Sequence, residues 1–229
     1  MGSILKFIRE HSGLMLVVFL SCALCVVLTF FRFYISHATV YAFLLWNLFL
    51  ALIPFALSMV IFTSTSKWRI LFLLMGWLLF FPNAPYLVTD LFHYGPLPPV
   101  PQGYDMAMLV AYAWCGLILG HLSVLFIHHA IRRMINNWVA WPLVFISLFL
   151  GAFGVYLGRF LRWNSWDVFF NHERVFHDIY SIFSDPVIYK WSWAIIVLTF
   201  AFLLIGYFFI WQLVNFGKHL ESETIQDTG

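Results

Sequence analysis

Six apolar runs, divided by connections that hold most of the charge, leave this chain few ways to fold. They cover residues 13–31, 40–62, 70–81, 106–128, 138–158 and 191–214. A hydrocarbon core is crossed by about 20 residues of helix, and inside it every backbone N–H and C=O must be bonded within the chain, so runs of this length predict transmembrane helices. The third is short and ends in Pro82 and Pro85, which lack backbone donors and restrict the residues before them. The composition agrees, with 63% hydrophobic and 10% charged residues, against roughly half and a quarter in a soluble domain. The expected fold class is all-α: a polytopic membrane helix bundle of about six transmembrane helices, the third broken at Pro82/Pro85. In 229 residues no room is left for a soluble domain. Residues 1–218 are expected to form a single transmembrane domain and residues 219–229 a polar, disordered cytoplasmic tail.

Lys6 and Arg9, Lys67 and Arg69, Arg132 and Arg133, and Lys218 fall on alternate sides of these runs, which the positive-inside rule assigns to the cytoplasm. Both termini then lie inside a cell (inner/plasma) membrane. The proline-rich residues 95–103 and the long segment between the fifth and sixth runs lie outside. Trp68, Trp138 and Trp141 mark inner boundaries, and Trp163, Trp166, Trp191 and Trp193 outer ones. The first run is too long for a signal-peptide core and reads as a span. A net charge of +2, with scattered basic residues, gives no nucleic-acid footprint, so membrane lipids are the expected partners. Cys22, Cys25 and Cys115 fall inside apolar runs and imply no disulfide framework. The C-x-x-C of Cys22 and Cys25 reads as small apolar residues on a lipid-buried helix.

Two polar segments stand at the expected outer boundary. In F-P-N-A-P-Y-L-V-T-D-L-F-H, residues 81–93, Asn83 is available to cap a helix that restarts after the prolines. Asn83, Tyr86, Asp90 and His93 then share one stripe at i, i+3, i+7 and i+10. In G-R-F-L-R-W-N-S-W-D, residues 158–167, Arg159 and Arg162 at i, i+3 extend from the fifth span. Their planar, bidentate guanidiniums suit a phosphate or a carboxylate.

Together these groups suggest acid–base chemistry: His93 exchanging a proton, Asp90 fixing its tautomer, Tyr86 beside them, and the arginines holding developing negative charge. The candidate catalytic residues are His93, Asp90 and Tyr86, and the candidate substrate-binding residues are Arg159, Arg162, Asn83, Asn164 and Asp167. The leading expectation is a membrane-embedded transferase or hydrolase acting at the outer leaflet on a lipid-linked or phosphate-bearing substrate. A transporter or flippase with an outward-facing polar site is the main alternative, and a non-catalytic assembly or sensor protein is the third. A structural ion pair at the helix ends also accounts for the charges, but not for so many hydrogen-bonding groups nearby.

Other polar residues have structural readings. His121, with Gly116 and Gly120, suits close helix packing, as do Asn47 and Pro54 in the second span. Asp105 is placed to cap the fourth. Asp90-x-x-His93, with Asp167, His172 and His177 elsewhere, holds ligand types for a metal, but no metal-binding motif is present, so no metal ligands are assigned and no cofactor is identified.

The two segments resemble an uncharacterised bacterial integral-membrane family, a domain of unknown function, number 1361. The likeness rests on the two strings above and on similarly spaced spans from about Phe43 to Val214. It implies a multi-span membrane fold and singles out Asn83, Tyr86, Asp90, His93, Arg159, Arg162, Asn164 and Asp167. It implies no activity.

Overall fold

The computed structural model describes residues 2–227. Its helices are α1 (Gly2–Glu10), α2 (Ser12–Ser36), α3 (Ala42–Thr63), α4 (Lys67–Phe80), α5 (Asn83–Tyr86), a 3₁₀ segment (Leu87–His93), α6 (Gln102–Met134), α7 (Asn137–Phe160), α8 (Asp167–Phe170), α9 (His172–Ser184) and α10 (Lys190–Asp227). Six stretches are long and apolar enough to cross a membrane: Ser12–Ser36, Ala42–Thr63, Lys67–His93, Gln102–Met134, Asn137–Phe160 and Lys190–Gly217. The protein is an all-α, polytopic integral membrane protein. The third span is longer than the sequence suggests, because α4, α5 and the 3₁₀ segment follow one another across the prolines.

The connections after α2, after the 3₁₀ segment and after α7 lie at one end of the bundle, here called the motif end. There the Tyr41 hydroxyl donates to the His93 carbonyl at 3.5 Å. At the opposite end Arg133 donates to the carbonyls of Phe62, at 2.7 Å, and Ser64, at 3.2 Å, and Phe7 of α1 packs against Phe62 and Phe126. α6 is the axis: 72% of its most apolar window is buried, against 17% for α2 and for α10, whose other faces are left for lipid.

Glycine decides how deep the broken helix sits. A Cβ on Gly116 of α6 would overlap the Ala84 carbonyl and Leu87, and one on Gly120 would touch Ala84 at 3.4 Å. From the other side, a Cβ on Gly151 or Gly154 of α7 would overlap the Phe81 ring or Pro82, and one on Gly158 would meet the Tyr86 ring at 3.3 Å. The segment from Phe81 to Leu87 is therefore clasped between two small-residue faces, the device by which membrane helices approach closely without a hydrophobic driving force. Gly116 and Gly120 do allow close approach, as expected, but to this segment; His121 faces α10 instead, 3.0 Å from the Leu203 carbonyl.

Three local expectations need correction. Asn83 does not cap α5: the preceding Phe81 and Pro82 stay in the right-handed helical region, and the Asn83 amide donates back to the Phe80 carbonyl at 2.9 Å, satisfying an acceptor that Pro82 and its neighbours leave open. Asp105 does not cap α6, which begins at Gln102 after Pro101; it pairs with Arg32. The expected disordered tail continues α10 as helical backbone to Asp227, in a stretch free of proline, while residues 228 and 229 lie outside the described residues.

The Arg32–Asp105 pair is the most deeply buried ion pair among the described residues. Arg32 Nε donates to Asp105 Oδ1 at 2.8 Å and Nη2 to Oδ2 at 3.3 Å and to the Leu97 carbonyl at 2.9 Å, with side-chain exposures of 2% and 0%. The guanidinium also lies 5.6 Å from the Tyr41 ring centre. This bidentate pair ties α2 to α6 and holds the proline-rich connection at the motif end.

Candidate functional site

Pro82 and Pro85 remove two donors from the α4 helix, and the chain recovers as one turn of α5 and then as 3₁₀ helix. In a 3₁₀ helix residues three apart eclipse, so Asp90 and His93 stand on one face, with Oδ1 and Nδ1 3.9 Å apart. The Asp90 side chain is fully buried. Its Oδ2 accepts from the Asn47 amide at 2.9 Å, whereas Oδ1 has no hydrogen-bond donor among the described residues. Arg159 reaches across from α7, with Nη1 3.8 Å from that oxygen, close enough for strong attraction but beyond hydrogen-bond length.

Arg159 is shared. Its Nη2 lies 3.3 Å from His93 Nδ1, and because a guanidinium only donates, Nδ1 is the acceptor and the neutral ring carries its proton on Nε2. The expected Asp90–His93 hydrogen bond is therefore not made; Arg159 lies against both. The guanidinium also lies over the Phe92 and Tyr86 rings, 5.3 and 6.0 Å from their centres, and the His93 ring packs on Phe43 with centroids 4.6 Å apart. The His93 side chain is 42% exposed and that of Arg159 13%, so the imidazole opens to the surface while the carboxylate is sealed beneath it. A small shift of Arg159 would exchange its imidazole contact for the unsatisfied carboxylate oxygen.

Beside this cluster is a cavity of ≈ 400 Å³ among α3, α4, α5, α7 and the α8–α9 region. Leu50, Leu78, Leu79, Phe149, Leu150 and Phe153 supply apolar walls, and Asn47, Asn83, Tyr86, Asn164 and Ser165 supply amide, phenol and hydroxyl groups. Among the described residues, no ionisable group except the Tyr86 phenol lines it. Asn47 and Tyr86 are walls held in common, since each lines the cavity and each touches the charged cluster. Trp46 and Leu150, 54% and 38% exposed, also line it, so the cavity reaches the flank of the bundle.

The remaining candidates divide. Asn83 and Ser165 are bonded at 3.1 Å, which joins the two motif segments. Asp167 faces its own loop: Oδ2 accepts from the Asn164 backbone N–H at 2.8 Å and the Asn164 amide at 3.2 Å, and Oδ1 from the Asn171 amide at 2.7 Å. Those donors, the Asn164 backbone first, hold its carboxyl below the usual range. Arg162 is exposed, with φ +61°, and turns the chain so that the Trp163 N–H reaches the Leu157 carbonyl at 3.1 Å; it does not join Asp90. No group of three His, Cys, Asp or Glu positioned to hold a metal occurs among the described residues, so Asp167, His172 and His177 do not complete a set with Asp90 and His93.

Sequence reasoning gave Asn47 only a structural part and passed over Gly151, Gly154 and Trp46. The signal for the glycines was present as G-x-x-G-x-x-x-G, ending at Gly158. Asn47 had none, because one amide in an apolar span does not announce its partner.

The match to the family described as "Protein of unknown function (DUF1361)" covers residues 46–207. The chain belongs to this family. The matched region takes in Asn47, both motif segments, the glycine faces of α6 and α7, and the whole cavity lining, and it stops within α10. No curated protein and no solved structure matches the chain.

Because the Asp167 carboxyl is depressed in the folded protein, its contribution to stability is present above the ordinary carboxylate range and is lost as pH falls through the depressed value. Asp167→Asn is expected to flatten the acid limb of a stability–pH profile of the purified protein and to cost about 1 kcal/mol at neutral pH. An unchanged acid limb would remove Asp167 from the loop's support.

Proposed function

We propose that this protein is a membrane-embedded transferase or hydrolase acting, on the extracytoplasmic side, on a lipid-linked, phosphate-bearing substrate. The observation that carries the reading is the adjacency of the partly exposed His93 and the largely covered Arg159, backed by the buried and under-bonded Asp90, to a cavity with hydrocarbon walls and neutral polar groups. An amphiphile fits this division: its apolar part and any hydroxyl-bearing portion in the cavity, its phosphate drawn to Arg159. In this reading Arg159 binds the anion and withdraws from His93, which frees Nδ1. His93 Nδ1 then takes the proton of the attacking water or acceptor hydroxyl and returns it to the leaving oxygen, and Asp90 offsets the positive charge held in between. Tyr86 positions the substrate between the two compartments. Asn164 and Ser165 contribute neutral hydrogen bonds at the rim. Asp167 acts through the loop it folds, and Arg162 meets the substrate only as a surface cation.

The transport alternative needs polar groups continuing through the bundle. Several of those at depth are consumed in helix contacts instead: His121 against the Leu117 and Leu203 carbonyls, Ser123 against the Gly120 carbonyl and the Trp77 indole, and Thr29 against Tyr112; buried His128 bonds the Tyr207 hydroxyl through Nδ1 and leaves Nε2 without a partner among the described residues.

Native mass spectrometry of the gently purified protein, beside Arg159→Ala and His93→Ala, tests the proposal. The expected result is a phosphate-bearing lipid adduct on the parent, at least tenfold weaker on Arg159→Ala. On His93→Ala the adduct is expected to persist, and release or transfer of the phosphate-linked group in proteoliposomes to be lost. Equal adducts on the parent and Arg159→Ala would overturn the binding role, and full turnover in His93→Ala would overturn the catalytic one.

A further inference from the structure

The segment after α7 reads in the sequence as a long loop, but its centre, α9, is divided into three parallel stripes. Val175, Ile179 and Ile182, at i, i+4 and i+7, face the bundle: Val175 and Ile182 are buried, Ile182 packs with Phe153, Tyr156 and Ile196, and Val175 and Ile179 close the cavity. Phe176, Tyr180 and Phe183, one position further on, are 59%, 72% and 51% exposed. Arg174, Asp178 and Ser181, again at i, i+4 and i+7, form the polar side, and Glu173 and His177 lie between it and Tyr180.

Three further features say what covers the aromatic stripe. It is flanked along the chain by exposed Phe169 and Phe170 before α9 and by exposed Val187, Ile188 and Trp191 after it, more large apolar side chains than a water-facing segment normally leaves bare. The segment runs into the first turn of α10, a membrane-crossing helix, so it stands at the depth where a span begins. The composition, aromatic on one side and charged on the other over a helix too short to cross, is that of a helix lying in a membrane interface. α9 is also fixed in place, since the Trp163 indole donates to Asp178 at 2.9 Å and the Trp193 indole to the Ile182 carbonyl at 3.1 Å.

We propose that α9 is an in-plane interfacial helix, with Phe176 and Tyr180 seated in lipid and Arg174 and Ser181 in water, roofing the cavity at the membrane surface. Ligands then reach the cavity from the leaflet beneath α9. This seating is independent of the chemistry assigned to Arg159 and His93, and it holds even if the cavity is not catalytic.

The test is nitroxide accessibility on the full-length protein in phosphatidylethanolamine–phosphatidylglycerol vesicles. Labels are placed by Phe176→Cys, Tyr180→Cys, Arg174→Cys and Ser181→Cys in a background whose native cysteines are replaced. The first two labels are expected to relax several-fold faster with oxygen than with a water-soluble nickel chelate, and the last two to show the reverse. Nickel access at all four positions would overturn the proposal in favour of an aqueous loop. Low access to both agents at 176 and 180, with spin broadening relieved by unlabelled protein, would overturn it in favour of a second copy covering the face.

Discussion

Asp105→Ala is expected to destabilise the folded bundle by about 3–5 kcal/mol, because it leaves the Arg32 guanidinium buried without its counter-charge. Arg32 is 2% exposed at its side chain and keeps only the Leu97 carbonyl and the Tyr41 ring as partners once Asp105 is gone. Arg32→Ala should cost a similar amount, with the added loss of the anchor on the proline-rich connection. Replacing both partners by apolar residues of similar volume, Arg32→Met with Asp105→Leu, should recover most of the loss, since desolvating an ion pair costs about as much as the pair returns. Unfolding of the single and double variants in bicelles, read as a double-mutant cycle, measures this coupling. Additive effects would show that the pair does not hold α2 to α6.

The second large effect is expected at Gly116. Its missing Cβ is the space occupied by the Ala84 carbonyl and by Leu87, so Gly116→Ala must push the broken helix away from α6 or bend it. A cost of about 1–3 kcal/mol follows from overpacking alone. Because α5 carries Asn83 and Tyr86, and the 3₁₀ segment carries Asp90 and His93, the displacement should also separate the charged cluster from Arg159. Gly154→Ala, which meets Pro82 from the other side, should act alike. Gly76→Ala is the control: its Cβ would meet only the Leu57 side chain at 3.8 Å, and helix propensity favours alanine there by up to about 1 kcal/mol. Stability and lipid-adduct yield measured together check the prediction. Loss at Gly76 equal to that at Gly116 would show that glycine in these helices serves flexibility and not fit.

Much of the site was legible because the two motif strings concentrate hydrogen-bonding groups where apolar spans end. Asp90, His93, Tyr86 and Arg159 do come together, and Asn83 meets the second string through Ser165. Arg162 does not follow Arg159, because the helix terminates between them and a positive φ turns the chain. Spacing along an assumed helix cannot foresee that. Asp167 looked like a ligand and is instead the centre of a local turn, a reading its neighbours Asn164 and Asn171 permitted in retrospect. α9 was hidden because its apolar face is divided between bundle and surface, and its charges made the segment look like solvent-exposed loop.

The sequence by itself determined the membrane class, the number of crossings and the break at Pro82 and Pro85. Each of these follows from requirements local to a segment: an apolar length to match the bilayer, and backbone donors that proline removes. Only the tertiary structure decided which charge meets which. Arg32 is 73 residues from Asp105, and Arg159 is 66 from His93. Spans that are apolar all round carry little periodicity to set their rotation. Rotation and depth came instead from where glycines let two backbones touch, and that contact placed Asp90 beneath His93 and within reach of Arg159.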